Sequence, residues 1–241
     1  MNFLGYAQTI MSISISQMKD HSISVDQARY ATYIVVKYLD TATVKVSTKF
    51  YNTTFPANII FTKKDVSTSD EQVDKLNKEF NIHYRACMDS LVYILSTRVD
   101  LSFVVHKLAK ISVNPGKVHF EGLIRLLRYI RGIKTLGLKY YADLNDAPVT
   151  DLLRQSSIKT KNHLMVFSDS SWKDCPDTGR ITGAYTIFYQ YGPIDHGTHV
   201  PGPVSQYSAE SEYNAACTAG MALSHFRMLI HDLLNKDLDI V

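Results

Sequence analysis

Between Tyr84 and Gly132 three helical patterns follow one another, separated by short stops, and this run constrains the fold more than any other stretch. The last is the clearest. Leu123, Leu126, Leu127 and Ile130 fall on one face of a helix over about His119–Arg131, while Arg125, Arg128 and Arg131 repeat every third residue along another face. Asn114, Pro115 and Gly116 stop the chain before it, and Gly132 closes it. Ala86 to Leu95 and Leu101 to Ile111 give the two earlier helices, and Gly137 to Tyr141 reads as a strand. Residues 83–142 are therefore expected to form a helical segment.

The flanks are organised differently. Ile10 to Ser16 alternates apolar and polar residues, turns at Met18 to His21, and resumes at Ile23 to Val25, which predicts a hairpin. Asp26 then caps a helix over Gln27–Leu39 with Ala31, Ile34, Val35 and Tyr38 as its buried stripe. This places a hairpin-and-helix segment over 1–64 and a polar linker over 65–82. After a second polar connection, a new unit over 160–241 opens with an apolar strand, His163 to Asp169. Ile181 to Tyr189 gives a second strand and Val204 to Tyr207 a short third one. Ser208 caps a helix running to about Asn235, with Tyr213, Ala216, Cys217 and Gly220 as its stripe. Strands followed by a long helix predict a mixed α/β fold, here a helical segment and then a mixed sheet with a packed helix.

Composition narrows the function. With 45% hydrophobic and 20% charged residues the chain is ordinary globular protein, and no run approaches the ~18 apolar residues of a membrane span. A soluble, intracellular protein is expected, with cytoplasm and nucleus left open. Cys87, Cys175 and Cys217 have no paired spacing, so neither a disulfide framework nor a zinc module is indicated. A net charge of +3 does not by itself identify a polyanionic partner, which depends on charge distribution. The Arg125, Arg128, Arg131 row is the candidate for nucleic-acid phosphates, with a solvated helix face as the alternative. His196 and His199 stand in an irregular stretch without acids or a cysteine pair at ligand spacing, and are expected to be loop histidines.

Residues 84 to 141, from Tyr84-Arg85 through Thr97-Arg98 with Asp100, Asn114-Pro115 before His119-Phe120, and Leu127-Arg128-Tyr129 ending in Gly132, closely resemble the segment after the polymerase palm in copia-type retrotransposon polyproteins. Asp89 stands where that family usually has glycine, and Val99 where it has proline. Phe3-Leu4-Gly5 and the hairpin resemble the entry into this segment. The resemblance places the polymerase aspartate pair upstream of this sequence. Tyr38-Leu39-Asp40 and Tyr141-Ala142-Asp143-Leu144 lack the adjacent Asp-Asp that holds two metal ions, and are read as structural.

Downstream, FSDSSWKDCPDTGRITGAY and QYSAESEYNAACTA resemble the first two strands and first helix of the copia-type RNase H domain. That domain hydrolyses the RNA of RNA/DNA hybrids with two Mg²⁺ or Mn²⁺ ions held by convergent carboxylates. The resemblance assigns Asp169 and Glu212 as catalytic residues and metal ligands, while Ser171 replaces a further acid. Glu210 is the competing glutamate. It lies about 160° around the helix from Glu212, in a first turn where the helix dipole favours an acid without need of function. A third aspartate is expected on the strand after the helix. Asp232, Asp237 and Asp239 are poor substitutes, on the order of 30 Å from Glu212. The resemblance thus implies part of a retrotransposon reverse transcriptase and RNase H polyprotein with an incomplete acidic site. Its partners would be an RNA/DNA hybrid and the remainder of the polyprotein. A non-catalytic nucleic-acid-binding remnant and an unselected reading frame are the alternatives.

Overall fold

The computed structural model describes residues 8–43, 51–55, 61–142, 163–171, 177–189, 192–200, 207–235 and 239–240. The chain divides into two compact units, residues 1–16 with 25–137, and residues 17–24 with 138–241. The fold is mixed α/β, as expected.

In the first unit, β1 (Thr9–Ile10) pairs antiparallel with β2 (Ile13–Gln17) across Met11 and Ser12, both at positive φ. After β3 (Ile23–Asp26), the Asp26 carboxylate accepts from the Ala28 N–H at 2.9 Å, satisfying an open donor at the start of α1 (Ala28–Ile34). The helix widens into a π-helical stretch, Val35–Asp40, and buries the predicted stripe of Ala31, Ile34, Val35 and Tyr38. Residues 65–82, expected as a linker, contain α2 (Asp70–Phe80). Asp70 and Glu71 occupy its first turn, where acids complement the helix dipole, and Asn81 ends it in the left-handed conformation at φ 51. The remaining helices are α3 (Tyr84–Ile94), α4 (Ser102–Ala109) and α5 (Lys117–Gly132), within a few residues of the predicted spans.

These helices share one core. Leu91, Ile94, Leu101, Leu108, Phe120, Leu123, Leu126, Leu127 and Ile130 are fully buried in it, each such side chain stabilising by about 1.5–3 kcal/mol. The Asn-Pro-Gly turn, in which Pro115 and Gly116 are buried, is held by hydrogen bonds from Ser67. Ser67 donates its backbone N–H to the Asn114 carbonyl and its hydroxyl to the Pro115 carbonyl at 2.8 Å. A Cβ on Gly116 would lie 1.8 Å from the Asp65 carbonyl oxygen, so this position requires glycine. Gly116 N–H donates to Nδ1 of the buried His119 at 2.9 Å, closing the start of α5.

Arg98 is 1% exposed, which is rare for an arginine unless it is paired. Its guanidinium grips Asp100 through two bonds of 2.8 Å and donates a third, of 3.1 Å, to the Ile133 carbonyl just past α5. The Tyr129 hydroxyl donates to the same Asp100 at 3.0 Å, and Thr97 donates to Gln27 at 2.9 Å. The Thr-Arg-x-Asp string thus ties the end of α3 to both ends of the unit's helical run.

The second unit contains β4 (Leu138–Tyr140), β5 (His163–Ser171), β6 (Thr182–Tyr189), β7 (Gly192–His199), α6 (Ser208–Leu234) and β8 (Asp239–Ile240). The sheet order is β7-β6-β5-β8, antiparallel except for β8, which runs parallel to β5. A small core of Leu164, Ile187, Leu223 and Ile230 joins the sheet to α6. Two sequence expectations are corrected here. His196 and His199 lie on strand β7, not in an irregular loop; Gly197 interrupted the alternation because the Tyr185 ring occupies the space a Cβ would need, at 2.5 Å. The buried stripe of α6 is Ser211, Ala215, Ala219, Leu223 and Ile230, while Tyr213 and Cys217 of the predicted stripe are exposed. Of the predicted third strand, Val204 to Tyr207, all but Tyr207 lies outside the described residues.

Candidate functional site

The site predicted from the sequence rests on β5 and the first turns of α6. β5 and β6 pair in continuous register, with Ser170 opposite Gly183 and Asp169 opposite Ala184. A Cβ on Gly183 would point at the Ala215 Cβ of α6, 3.4 Å away, which marks the covered face of the sheet. Cross-strand partners share a face and successive residues alternate, so Ser170 is on the helix side and Asp169 leaves the strand on the other. Asp169 is exposed near the end of β5.

Glu212 is also exposed, on the flank of α6 one turn before Ala215. Asp169 and Glu212 thus come from backbone segments at the same end of the unit, with Asp169 on the face away from the helix. Glu210 is exposed in the first turn. Asp232 is exposed near the far end of α6, which separates it from both. Asp237 lies outside the described residues. Asp239 opens β8, and its Cα pairs with His163, six residues before Asp169; at about 3.3 Å per residue that is ~20 Å along the strand. Carboxylates are the hard donors Mg²⁺ prefers, but these do not converge into a two-metal set. Among the described residues no group of three or more His, Cys, Asp or Glu side chains is placed to hold a metal.

A second polar row escaped the sequence reading. Ser170, Gly183 and His199 face one another across three strands, beneath the start of α6. The His199 ring lies over Gly183, and neither its nitrogens nor the buried Ser170 hydroxyl has a hydrogen-bond partner among the described residues. Burial lowers the pKa of His199 and of His196 below the usual histidine value. Asp195 accepts from the Tyr185 hydroxyl at 3.1 Å, and burial ahead of that carboxylate raises the phenol's pKa. Gly183 and Gly197 were the available signal, since each leaves room for a neighbouring ring.

The arginine row of α5 lies in the first unit. Arg125 stacks on the Tyr51 ring at 4.0 Å and donates to the Thr53 hydroxyl at 3.1 Å, and Arg131 forms an ion pair with Asp40. Arg128 is half-buried between them in sequence. At least two of the three guanidiniums therefore hold neighbouring segments of their own unit.

Comparison with known proteins gives a consistent set of relatives. The chain is 25% identical over 150 residues to the retrovirus-related Pol polyprotein from transposon RE1 of Arabidopsis thaliana, matching 62% of this chain and 9% of that polyprotein. It is 23% identical over 235 residues to the retrovirus-related Pol polyprotein from transposon TNT 1-94 of Nicotiana tabacum, covering 97% of this chain and 16% of that one. An uncharacterized mitochondrial protein of Arabidopsis thaliana is 32% identical over 93 residues, 38% of this chain and 69% of its own length. The chain thus spans about a tenth of the Pol polyproteins RE1 and RE2 that it matches. No family model matches the chain. No solved structure matches it.

Proposed function

Since this chain belongs with the retrovirus-related Pol polyproteins of copia-type retrotransposons, we propose that its second unit is the opening half of an RNase H-like nuclease and its first unit the helical support that precedes it. The observation that carries this reading is the path of the sheet. Three antiparallel strands are followed by a long helix packed on them, and the chain then returns as β8 alongside β5. A polypeptide continuing β8 in that register would bring its side chains up beside Asp169. In that register the position across from Asp169 is six residues after Asp239, where a third carboxylate would join the set.

In this reading Asp169 and Glu212 are two of the acids that would help hold Mg²⁺ or Mn²⁺, which would supply Lewis-acid activation of water and phosphate, although Asp169 leaves β5 on the face away from α6 and the two do not converge as they stand. Two protein carboxylates against two divalent ions leave the ions mutually repelled, so further carboxylates would be needed to hold both. The substrate would be the RNA strand of an RNA/DNA hybrid. Hybrid binding by the chain alone would be weak and salt-sensitive, because its arginine row is engaged within the first unit.

The test is a hybrid labelled on its RNA strand, incubated with Mg²⁺ or Mn²⁺ and either this chain or a longer Pol segment that continues past β8. No cleavage is expected from the chain, clear cleavage from the longer segment, and a loss of about 10²-fold or more on Asp169→Asn or Glu212→Gln, as when a metal ligand is removed from a two-ion site. Cleavage by the chain that survives both substitutions would overturn the assignment.

A further inference from the structure

In the first unit a cavity of about 290 Å³ lies at the end of α5, lined by Tyr51, Asn52, Tyr129, Gly132 and Ile133. That is the small end of the range in which proteins hold small molecules, roughly 300–1,000 Å³. Two of its walls are tyrosines, and each ring has a guanidinium against it. Arg125 lies 4.0 Å from the centre of the Tyr51 ring and Arg98 5.8 Å from that of Tyr129. Both walls are anchored. Arg125 also donates to Thr53, two residues after Tyr51, and the Tyr129 hydroxyl donates to Asp100 at 3.0 Å.

The polar groups of the cavity narrow what can fill it. Asn52 is exposed, and its amide, two donors and an acceptor, has no hydrogen-bond partner among the described residues. Gly132 closes α5, and the last turn of a helix leaves carbonyl oxygens open to further donors. Arg125, Arg128, Tyr129 and Gly132 share one face of α5. The partners of Arg125, Tyr51 and Thr53, are neutral and leave its charge uncancelled, whereas Asp100 is gripped by Arg98. A cationic guest is opposed by these arginines, and a purely apolar one leaves the amide and the carbonyls unmet. A flat ring with an amino edge and an anionic tail meets every group: tyrosine stacks on it, the Asn52 amide and the helix carbonyls bond its edge, and the arginines attract its phosphate. We propose that this cavity binds one nucleotide of a single-stranded nucleic acid, with the base against Tyr51, Tyr129 and Asn52. The proposal takes only the polynucleotide partner from the nuclease reading, and nothing from Asp169 or Glu212.

The probes are 5′-AMP, UMP and ribose 5-phosphate, each titrated into the full chain without divalent metal and followed by calorimetry. AMP is expected to saturate with a dissociation constant in the millimolar range or tighter. Ribose 5-phosphate should bind at least about fivefold more weakly, since stacking one base on an aromatic side chain is worth about 5–150-fold. UMP, which stacks but lacks the amino group, should fall between them. Asn52→Ala should bring AMP down to the level of UMP. Tyr51→Ala should weaken AMP by about fivefold or more, and Tyr51→Phe should restore it, with urea unfolding of the first unit checking that each variant is folded. AMP and ribose 5-phosphate bound equally, as by an arginine holding phosphate alone, would overturn the proposal. So would an absence of saturation, or AMP affinity indifferent to both Asn52→Ala and Tyr51→Ala. Because no metal is present, a failure here leaves the metal-dependent cleavage test standing, and failure of that test leaves this one.

Discussion

Arg98 and Asp169 both belong to strings that carry the family resemblance, yet their surroundings are opposite. Arg98 is 1% exposed and its guanidinium makes three hydrogen bonds, to Asp100 and to the end of α5; Asp169 stands exposed near the end of β5 on the uncovered side of its sheet. The same contrast runs through the two units. The first closes a broad core of helices over itself, while the second joins sheet to helix through a smaller apolar cluster and the small residues Ser211, Ala215 and Ala219, and leaves the far face of α6 exposed among the described residues. The string residues of the first unit are built into its fold, whereas Asp169 and Glu212 of the second are exposed.

The sharpest way to break this contrast is to remove the arginine. Arg98→Ala removes a buried guanidinium with its bonds to Asp100 and the Ile133 carbonyl; because Asp100 is itself open to solvent, the loss is that of charge-assisted hydrogen bonds, about 1.5–3 kcal/mol, and urea unfolding of the first unit should shift to lower denaturant. Asp169→Asn, by contrast, should leave the unfolding curve of the second unit within about 0.5 kcal/mol, as for surface changes in general. A small effect at Arg98 would remove the structural reading of the Thr-Arg-x-Asp string.

Core truncations sharpen the same comparison. Leu127→Ala, within the dense core, is expected to cost toward the upper part of the 2–5 kcal/mol range, and Leu223→Ala toward the lower part, because its thinner surroundings can relax. Equal costs by denaturant titration would mean that the two cores are equally well packed.

The smallest expected effect is a pH dependence. Burial lowers the pKa of His119 below its ordinary value, with Asp65 and the Gly116 hydrogen bond opposing it more weakly. The unfolded chain then binds a proton first as pH falls, so the stability is full above the ordinary histidine range and declines as pH drops below it toward the folded value. His119→Gln keeps an acceptor for the Gly116 N–H without titrating there, and should flatten this decline in thermal melts of the first unit between pH 7.5 and about pH 5. An unchanged slope would assign the dependence to other groups.

Much of the first unit was legible because its signals agree. α5 combines a single apolar stripe with a breaker on each side, so span and buried face follow together. α2 was hidden by its polarity, although Val73, Leu76 and Phe80 lie at helical spacing and Asn81 supplies a left-handed stop. In the second unit the periodicity of α6 fits two faces equally well, and only the sheet decides which is covered. The register that sends Asp239 to the wrong end of β5 is a pairing between residues distant in sequence, which local pattern does not encode. The destinations of Arg125 and Arg131 are likewise tertiary, on Tyr51, Thr53 and Asp40.

Native-state hydrogen exchange tests the central contrast most directly, since it reads opening free energy segment by segment. Amides of α3 and α5 should exchange only through global opening of the first unit, while those of β6, β7 and α6 exchange at least about tenfold faster. Adding the Pol sequence that continues past β8 should slow exchange in β5, β6 and α6 and leave α3 and α5 unchanged. Equal protection of the two units in the chain alone, or no gain in the second on extension, would contradict the contrast between a densely packed first unit and a thinly packed second.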